Sequence, residues 1–312
     1  MDERTQLLQN KLILITGASG FTGSHACRYF ASIGMRVAAV VRDEQGHAGL
    51  GGVTYHRCDL LSYEQVRETV SRIRPDYVLH LGGKNSVPES WKDPMLYMES
   101  NVLSVLYLLD ALRDIPACRT LVVGSRLSGP SLSSSYRPHH PYGLSKTLQK
   151  LVALSWKQLF DQHVILAEPS NLMGPGRSTG FCSLLGGRIV QEEREGGTPP
   201  FRVSSRQERR DFLDVRDAVR AYAFLLAYGS SGEIYQVCSG QPRTLEEVTT
   251  TMLNLSGSRM TVEWGDSPTA DSTAEVIQPE YLERIGWVPL YPLRTSLEDI
   301  IRYYRDEAKG GD

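Results

Sequence analysis

Several things are scarce in this 312-residue sequence, and each scarcity removes a class of function. The five cysteines, Cys27, Cys58, Cys118, Cys182 and Cys238, form no C-x-x-C pair and sit in no His/Cys cluster. That pattern argues against a disulfide framework or a metal site, and predicts small buried residues of a reducing compartment. His139 and His140 have no metal-ligand spacing to any partner and read as loop residues. Net charge is only −2, which argues against a nucleic-acid or anionic-membrane partner. The N-terminal residues Met1–Gln6 are polar and contain no apolar signal core. No stretch approaches the about 20 apolar residues of a membrane span, so a cytoplasmic protein is expected. There is no internal repeat and no low-complexity segment; Ser131–Ser135 reads as an ordinary loop.

What is present is organised around residues 11–43. Lys11–Thr16 is a short apolar run of the kind that forms a buried parallel strand. Gly17, Gly20 and Gly23 follow at G-x-x-G-x-x-G spacing, then a helix pattern from Ser24 to Gly34 and a second apolar run, Val37–Val41. A tight glycine turn between strand and helix lets helix N-terminal amides approach a pyrophosphate. The unit therefore predicts a dinucleotide cofactor held by Gly17, Ser19, Gly20, Phe21, Thr22 and Gly23.

The alternation continues. Val53–Arg57 reads as a strand. A helix from Ser62 to Ile73 is opened by a capping box, Ser62 with Gln65. Tyr77–Leu81 is a strand, and Asp93-Pro94 opens one long helix whose apolar positions run to Leu112. A strand at Leu121–Gly124, a polar loop over 126–141, a helix from Tyr142 to Phe160 and a strand at His163–Ala167 complete the pattern. This predicts a doubly wound parallel sheet, a Rossmann core over 1–170. The rest, 171–312, reads as a smaller substrate lobe with some segments returning to the core. Its expected elements are a loop at Asn171–Arg177, helices at 182–195, 214–227, 245–255 and 297–304, and strands at 201–203 and 234–238.

Ligands of such a sheet sit beyond the carboxyl ends of its strands. Tyr142 and Lys146, four apart on a helix, share one face. A phenol has a reference pKa of about 10, and a nearby ammonium favours phenolate, so the pair can exchange a proton with an alcohol oxygen. Ser125, just past a strand, can bond the same oxygen. Arg42 after the second strand suits a 2′-phosphate and favours NADP over NAD. Asp59 is placed to meet the adenine edge or to cap the next helix. Arg209–Phe212 with Arg216 and Asp217 reads either as a solvated face with ion pairs or as a diphosphate clamp through Arg210.

These residues, in this order, resemble the extended short-chain dehydrogenase/reductase family acting on nucleotide sugars. Thr16–Gly23 is similar to its cofactor fingerprint, Tyr142–Lys146 to its catalytic pair, Ser170–Gly176 to its substrate loop and Arg210–Asp217 to its second-lobe signature. Within the family, Arg74–His80, Lys84–Trp91, Gly180-Phe181 and Tyr235–Gly240 most resemble GDP-6-deoxy-4-keto-mannose reductases. The resemblance implies a Ser125/Tyr142/Lys146 triad, with further cofactor contacts at Leu60, Leu81, Gly82, Lys84 and Asn101. It implies substrate contacts at Ser86, Ser125, Arg126, Asn171 and Arg210, and a homodimer. Arg126-Leu127 departs from the acid–glutamate pair that 4,6-dehydratases use to eliminate water. Glu168 stands where relatives commonly carry arginine, and Gly82-Gly83 where they carry alanines. A reductase of a 4-keto nucleotide sugar is expected, with a NAD-retaining epimerase and a non-catalytic nucleotide-binding protein as the alternatives.

Overall fold

A computed structural model of the chain describes residues 3–43, 50–129, 137–266 and 276–310, so Ser131–Ser135 lies outside the described residues. Strands β1 (Leu12–Thr16), β2 (Arg36–Val41), β3 (Val53–Arg57), β4 (Tyr77–His80), β5 (Arg119–Val123) and β6 (His163–Pro169) come first. They are followed by β7 (Asn171–Met173), β8 (Phe201–Val203), β9 (Arg209–Arg210) and β10 (Phe212–Asp214). The last are β11 (Ile234–Val237), β12 (Arg243–Thr244) and β13 (Val262–Trp264). Helices α1 (Phe21–Ser32), α2 (Tyr63–Ile73), α3 (Val87–Lys92), α4 (Pro94–Met98), α5 (Ser104–Ala111) and α6 (Pro141–Phe160) lie among the first six strands. Later helices are α7 (Phe181–Glu195), α8 (Val215–Tyr228), α9 (Leu245–Ser256), α10 (Glu280–Arg284) and α11 (Leu293–Gly310).

The chain divides into two units. The first comprises residues 1–169, 219–237 and 281–287; the second comprises 170–218, 238–280 and 288–312.

The first unit carries a parallel sheet in the order β3-β2-β1-β4-β5-β6-β11, seven strands among the described residues. Strand order reverses between β1 and β4, which makes their carboxyl ends the switch point of a doubly wound fold. The strands are apolar throughout because helices cover them: β1 and β2 are buried along almost their whole length. Helices α2 and α5 bury Val66, Val70, Leu108 and Leu112 with Leu14, Val40 and Val78. A second cluster joins Val105, Leu109 and Ala153 to Val122, Val164 and Leu166. The edge beyond β6 is filled from far along the sequence, with Ile234 of β11 in register with Leu166. The Arg119 guanidinium donates to the Leu226 and Gly229 carbonyls, and the Tyr235 and Tyr281 rings lie 4.3 Å apart.

Five expectations are corrected here. The predicted single helix after Asp93 is preceded by a separate helix, α3, capped by Ser86, and is itself interrupted by a π-helical turn at Glu99–Leu103. Periodicity cannot reveal one residue inserted into a helix. The run Pro94–Asp114, at 21 residues and a mean hydropathy of 1.2, is long and apolar enough by length and composition to cross a membrane. Polar residues interrupt its apolar ones, and Tyr97, Val105, Leu108, Leu109 and Leu112 along it are buried. Asn171–Met173 is not loop but strand β7, paired in parallel with β10. Helix α11 is longer than the expected 297–304 because its ends are polar. The capping box at Ser62 is half made: Ser62 accepts the Gln65 amide, while the Gln65 side chain accepts the Asp59 amide instead.

The second unit has its own core. Helices α7, α9 and α11 bring Leu185, Ile189, Val248, Met252, Leu297 and Ile300 together with Met173 and Phe212.

Candidate functional site

The first turn after β1 is built by exclusion of side-chain volume. Gly17 has φ +65°, and a Cβ there would lie 2.9 Å from the Gly82 amide nitrogen, across the switch point. A Cβ on Gly23 would lie 2.1 Å from the Gly17 carbonyl oxygen. The two loops can close on each other only without those carbons. Ser19 and Gly20 complete the turn, and Gly20 begins α1 with no side-chain cap. The amides of Phe21, Thr22 and Gly23 therefore open the helix as donors for an anion. Behind the turn, Thr16 Oγ1 accepts the Leu81 and Gly82 amides at 3.2 and 3.1 Å. Its proton must then go to His80 Nδ1, 2.9 Å away, which puts the imidazole proton on Nε2. Burial holds this ring neutral, its pKa pushed down to about 3.

Arg42 follows β2 and Arg57 ends β3, where Val41 and Arg57 are register partners. The two guanidiniums line one cavity of about 440 Å³ with Asp59 and Gln65. The Asp59 carboxylate accepts the Leu61 amide at 3.0 Å, so Leu60 is held at the bend between β3 and α2. Sequence reasoning missed Arg57. Its position as the last residue of a strand beside β2 was the available signal.

Ser125, Tyr142 and Lys146 are all buried, at 8, 6 and 7% exposure. Ser125 stands beside the Tyr142 hydroxyl and favours its ionised form. The expected lowering of the Tyr142 pKa is not what the protein's own groups produce. Burial raises it, and Ser125 offsets that only in part. Lys146 aims elsewhere: its ammonium donates to the Val123 carbonyl at 3.2 Å and to Gln149 Oε1 at 2.8 Å. Burial pushes the Lys146 pKa down to about 8. The His140 imidazole is the N-cap of α6, its Nδ1 accepting the Gly143 amide at 2.8 Å, and its ring stacks on Tyr142 at 5.9 Å. His140 lies in the loop, as expected, and caps the helix from there, a role for which a ring is uncommon. Tyr97 meets the other side of Tyr142 edge-on at 6.2 Å.

The π turn puts Asn101 in the interior. Its amide bonds both backbone groups of Lys84, at 2.8 and 3.1 Å, and donates to Ser145 Oγ at 2.8 Å. Ser145 in turn donates to the Tyr142 carbonyl at 2.8 Å. Asn101 thus ties the loop after β4 to the first turn of α6. Lys84 pairs with Glu89 at 3.0 Å, and Glu89 accepts the Tyr97 hydroxyl at 2.8 Å. The Ser86 amide donates to that hydroxyl, and its side chain caps α3. Arg126 lies in the turn after Ser125.

Glu168, near the end of β6, takes part in a buried network. It pairs with Lys150 at 3.0 Å and accepts Gln236 Nε2 at 2.8 Å. Ser128 Oγ lies 2.8 Å from the same carboxylate.

Asn171 and Arg210 belong to the second unit. Asn171 is tied to the Asp211 carbonyl through its amide and side chain, at 3.0 and 3.1 Å. Arg210 pairs with Glu208 and stands directly opposite Arg243 in the β9–β12 ribbon. Like charges facing across a strand pair repel, and the Glu208 carboxylate offsets that repulsion at Arg210. Arg243 had no sequence signal, because the pairing joins residues far apart in the chain. Arg216 and Asp217 are structural: Arg216 pairs with Asp214 and Asp299, and Asp217 accepts the Leu290 and Tyr291 amides. None of the five cysteines forms a disulfide among the described residues, and all five are buried.

Comparison with known proteins bears on this arrangement. The family model described as "NAD dependent epimerase/dehydratase family" matches residues 13–238. GDP-6-deoxy-D-mannose reductase of Pseudomonas aeruginosa is 26% identical over 303 residues, 93% of this chain and 95% of that protein. UDP-glucose 4-epimerase of Halalkalibacterium halodurans is 25% identical, covering 96% and 97%. Among solved structures, RMD from P. aeruginosa complexed with NADPH superposes with a TM-score of 0.77 at 26% identity, covering 95% of this chain and 99% of that one.

Proposed function

The chain belongs to the NAD dependent epimerase/dehydratase family, and from that premise we propose that it is an NADPH-dependent reductase of a 4-keto nucleotide sugar, of the GDP-6-deoxy-4-keto-mannose type. The observation that carries this reading is a tyrosine at the start of α6 that is only 6% exposed, where burial disfavours the phenolate. A protonated phenol is the acid that reduction of a ketone needs. The likeness to the P. aeruginosa reductase supports the substrate class.

The residues fit a dinucleotide. The glycine turn admits no Cβ at Gly17 or Gly23, and the cavity beside β2 and β3 offers two guanidiniums. When bound, the nicotinamide supplies the hydride. The α1 amides hold the pyrophosphate, and Arg42 and Arg57 take the 2′-phosphate. Tyr142 gives its proton to the sugar oxygen as charge develops there. Ser125 bonds the same oxygen and then the phenolate that remains. The Lys146 ammonium stabilises that phenolate electrostatically. Asn171 and Arg210 bind the substrate diphosphate. A homodimer through the helices at 93–113 and 142–160 is the assembly that goes with this reading.

The test is incubation of the purified protein with GDP-6-deoxy-4-keto-mannose and stoichiometric NADPH, following loss of reduced-nicotinamide absorbance. Steady oxidation with a reduced sugar product supports the reductase. NAD released on denaturation, with no net oxidation, moves the reading to an epimerase. If neither result is obtained, the reading is without support.

Two further outcomes follow. Arg57→Ala is expected to raise the KM for NADPH about 10- to 100-fold, the range of one lost charge-assisted contact, and to leave that for NADH unchanged. Equal effects on both cofactors would remove Arg57 from 2′-phosphate recognition. Because the Lys146 pKa is lowered to about 8, its ammonium is lost as pH rises through that value. The kcat/KM profile should therefore fall above about pH 8, and Lys146→Arg should move that limb well upward.

A further inference from the structure

The turn that carries Ser125 is closed by its own backbone and anchored from outside. Within it, the Ser125 hydroxyl accepts the Leu127 amide at 3.1 Å, and the Ser125 carbonyl accepts the Ser128 amide at 2.9 Å. The direction of the Ser125 hydroxyl therefore follows from the shape of the turn. Outside it, Ser128 is the anchor. Its Oγ lies 2.6 Å from the Ser125 carbonyl and 2.8 Å from Glu168 Oε1, and it receives Lys150 Nζ at 3.3 Å. One hydroxyl proton thus faces two acceptors, with an ammonium on the lone-pair side. Lys150 also donates to the Gly129 carbonyl at 3.0 Å, while the Gly129 amide donates to Thr147 at 2.9 Å.

The far end of this anchor is Glu168. Its side chain is 11% exposed and that of Lys150 13%, so the ion pair is largely removed from water. Gln236 of β11 takes the second carboxylate oxygen. Lone buried charges of this kind are held only by dense bonding, and a group so held moves little. Among the described residues, the other partners of the Ser128 hydroxyl are the Ser125 carbonyl within the turn and Lys150.

We propose that Glu168 is a positioning residue for Ser125: clamped by Lys150 and Gln236, it anchors the Ser128 hydroxyl, and so holds in place the turn that the Ser128 amide closes on the Ser125 carbonyl and directs the Ser125 hydroxyl toward Tyr142. The proposal rests on the reductase reading only in taking the Ser125–Tyr142 pair as the site of proton transfer.

The experiment reads the Ser125–Tyr142 contact directly, without substrate. In protein labelled with 13C at tyrosine Cζ, the Tyr142 resonance is assigned by its loss in Tyr142→Phe. Ser125→Ala marks its position when the Ser125 hydroxyl is absent. Glu168→Gln keeps the side-chain size and breaks the ion pair; Ser128→Ala leaves the ion pair and removes only the link to Ser125. Both are expected to move the resonance toward its Ser125→Ala position. With keto sugar, both should lower kcat about tenfold with KM little changed, as expected of a lost orienting contact. Ser128→Thr, which retains the hydroxyl, should stay near the parent. If Glu168→Gln does not fold, the two Ser128 variants decide the matter. An unmoved resonance in folded variants overturns the proposal, even with lowered thermal stability, because that is the result of an ion pair that only supports the fold. A parent protein inactive on the keto sugar counts against the functional reading, and the resonance still decides this one.

Discussion

Tyr142→Phe should lower kcat by about 10²- to 10⁴-fold, the usual contribution of a positioned general acid. The phenol is 6% exposed and lies beside Ser125, so no other side-chain acid on the described part of α6 shares its position. The ring itself is held between His140 and Tyr97, and phenylalanine keeps that packing. Stability should therefore fall by only about 1 kcal/mol, the net worth of one hydrogen bond. NADPH affinity, measured by fluorescence titration, should be unchanged. A kcat within tenfold of the parent would sink the assignment of Tyr142 as acid.

Gly23→Ala carries the second large effect, and on a different step. The added carbon would sit 2.1 Å from the Gly17 carbonyl oxygen and 2.7 Å from the Ala18 Cα. Both obstacles are backbone, so neither can swing away. Relief requires α1 to withdraw from β1, which costs about 1–3 kcal/mol in a packed interior. The same withdrawal misplaces the amides that open α1, and dinucleotide affinity should fall by roughly 100-fold or more, given two or more lost bonds to a charged group. Gly20→Ala is the control, because its carbon would meet the same oxygen at 3.2 Å and needs only a small adjustment. Equal behaviour of the two variants in urea unfolding and in NADPH titration would refute the steric account.

The contrast between these two sites and the rest shows what can be read locally. Both rest on short-range patterns: three glycines between a strand and a helix, and a tyrosine and a lysine one turn apart. The strands of the sheet were legible for the same reason, as uninterrupted apolar runs. What escaped notice depends on pairing across distance. Arg57 matters because β3 lies beside β2, and Arg243 because β12 lies beside β9. Glu168 stood out only as a departure from relatives; its partner Lys150 is 18 positions away on another element. His140 and the π turn were missed because side-chain capping by a ring and a one-residue insertion leave hydrophobic spacing almost unchanged.

The seventh strand of the sheet sets an order on how the molecule can be made. A ribosome that has released the first 169 residues has released β6, whose outer edge then has no neighbour. Its partner, Ile234–Val237, emerges some 65 residues later at the earliest. Residues 281–287, with Tyr281 against Tyr235 and the buried Trp287, come later still. Until then a nascent chain presents an apolar strand edge open to pairing with other chains. A gene cut after residue 170 should accordingly yield an aggregating product and not a freestanding nucleotide-binding half. Completion of the sheet must await the synthesis of β11.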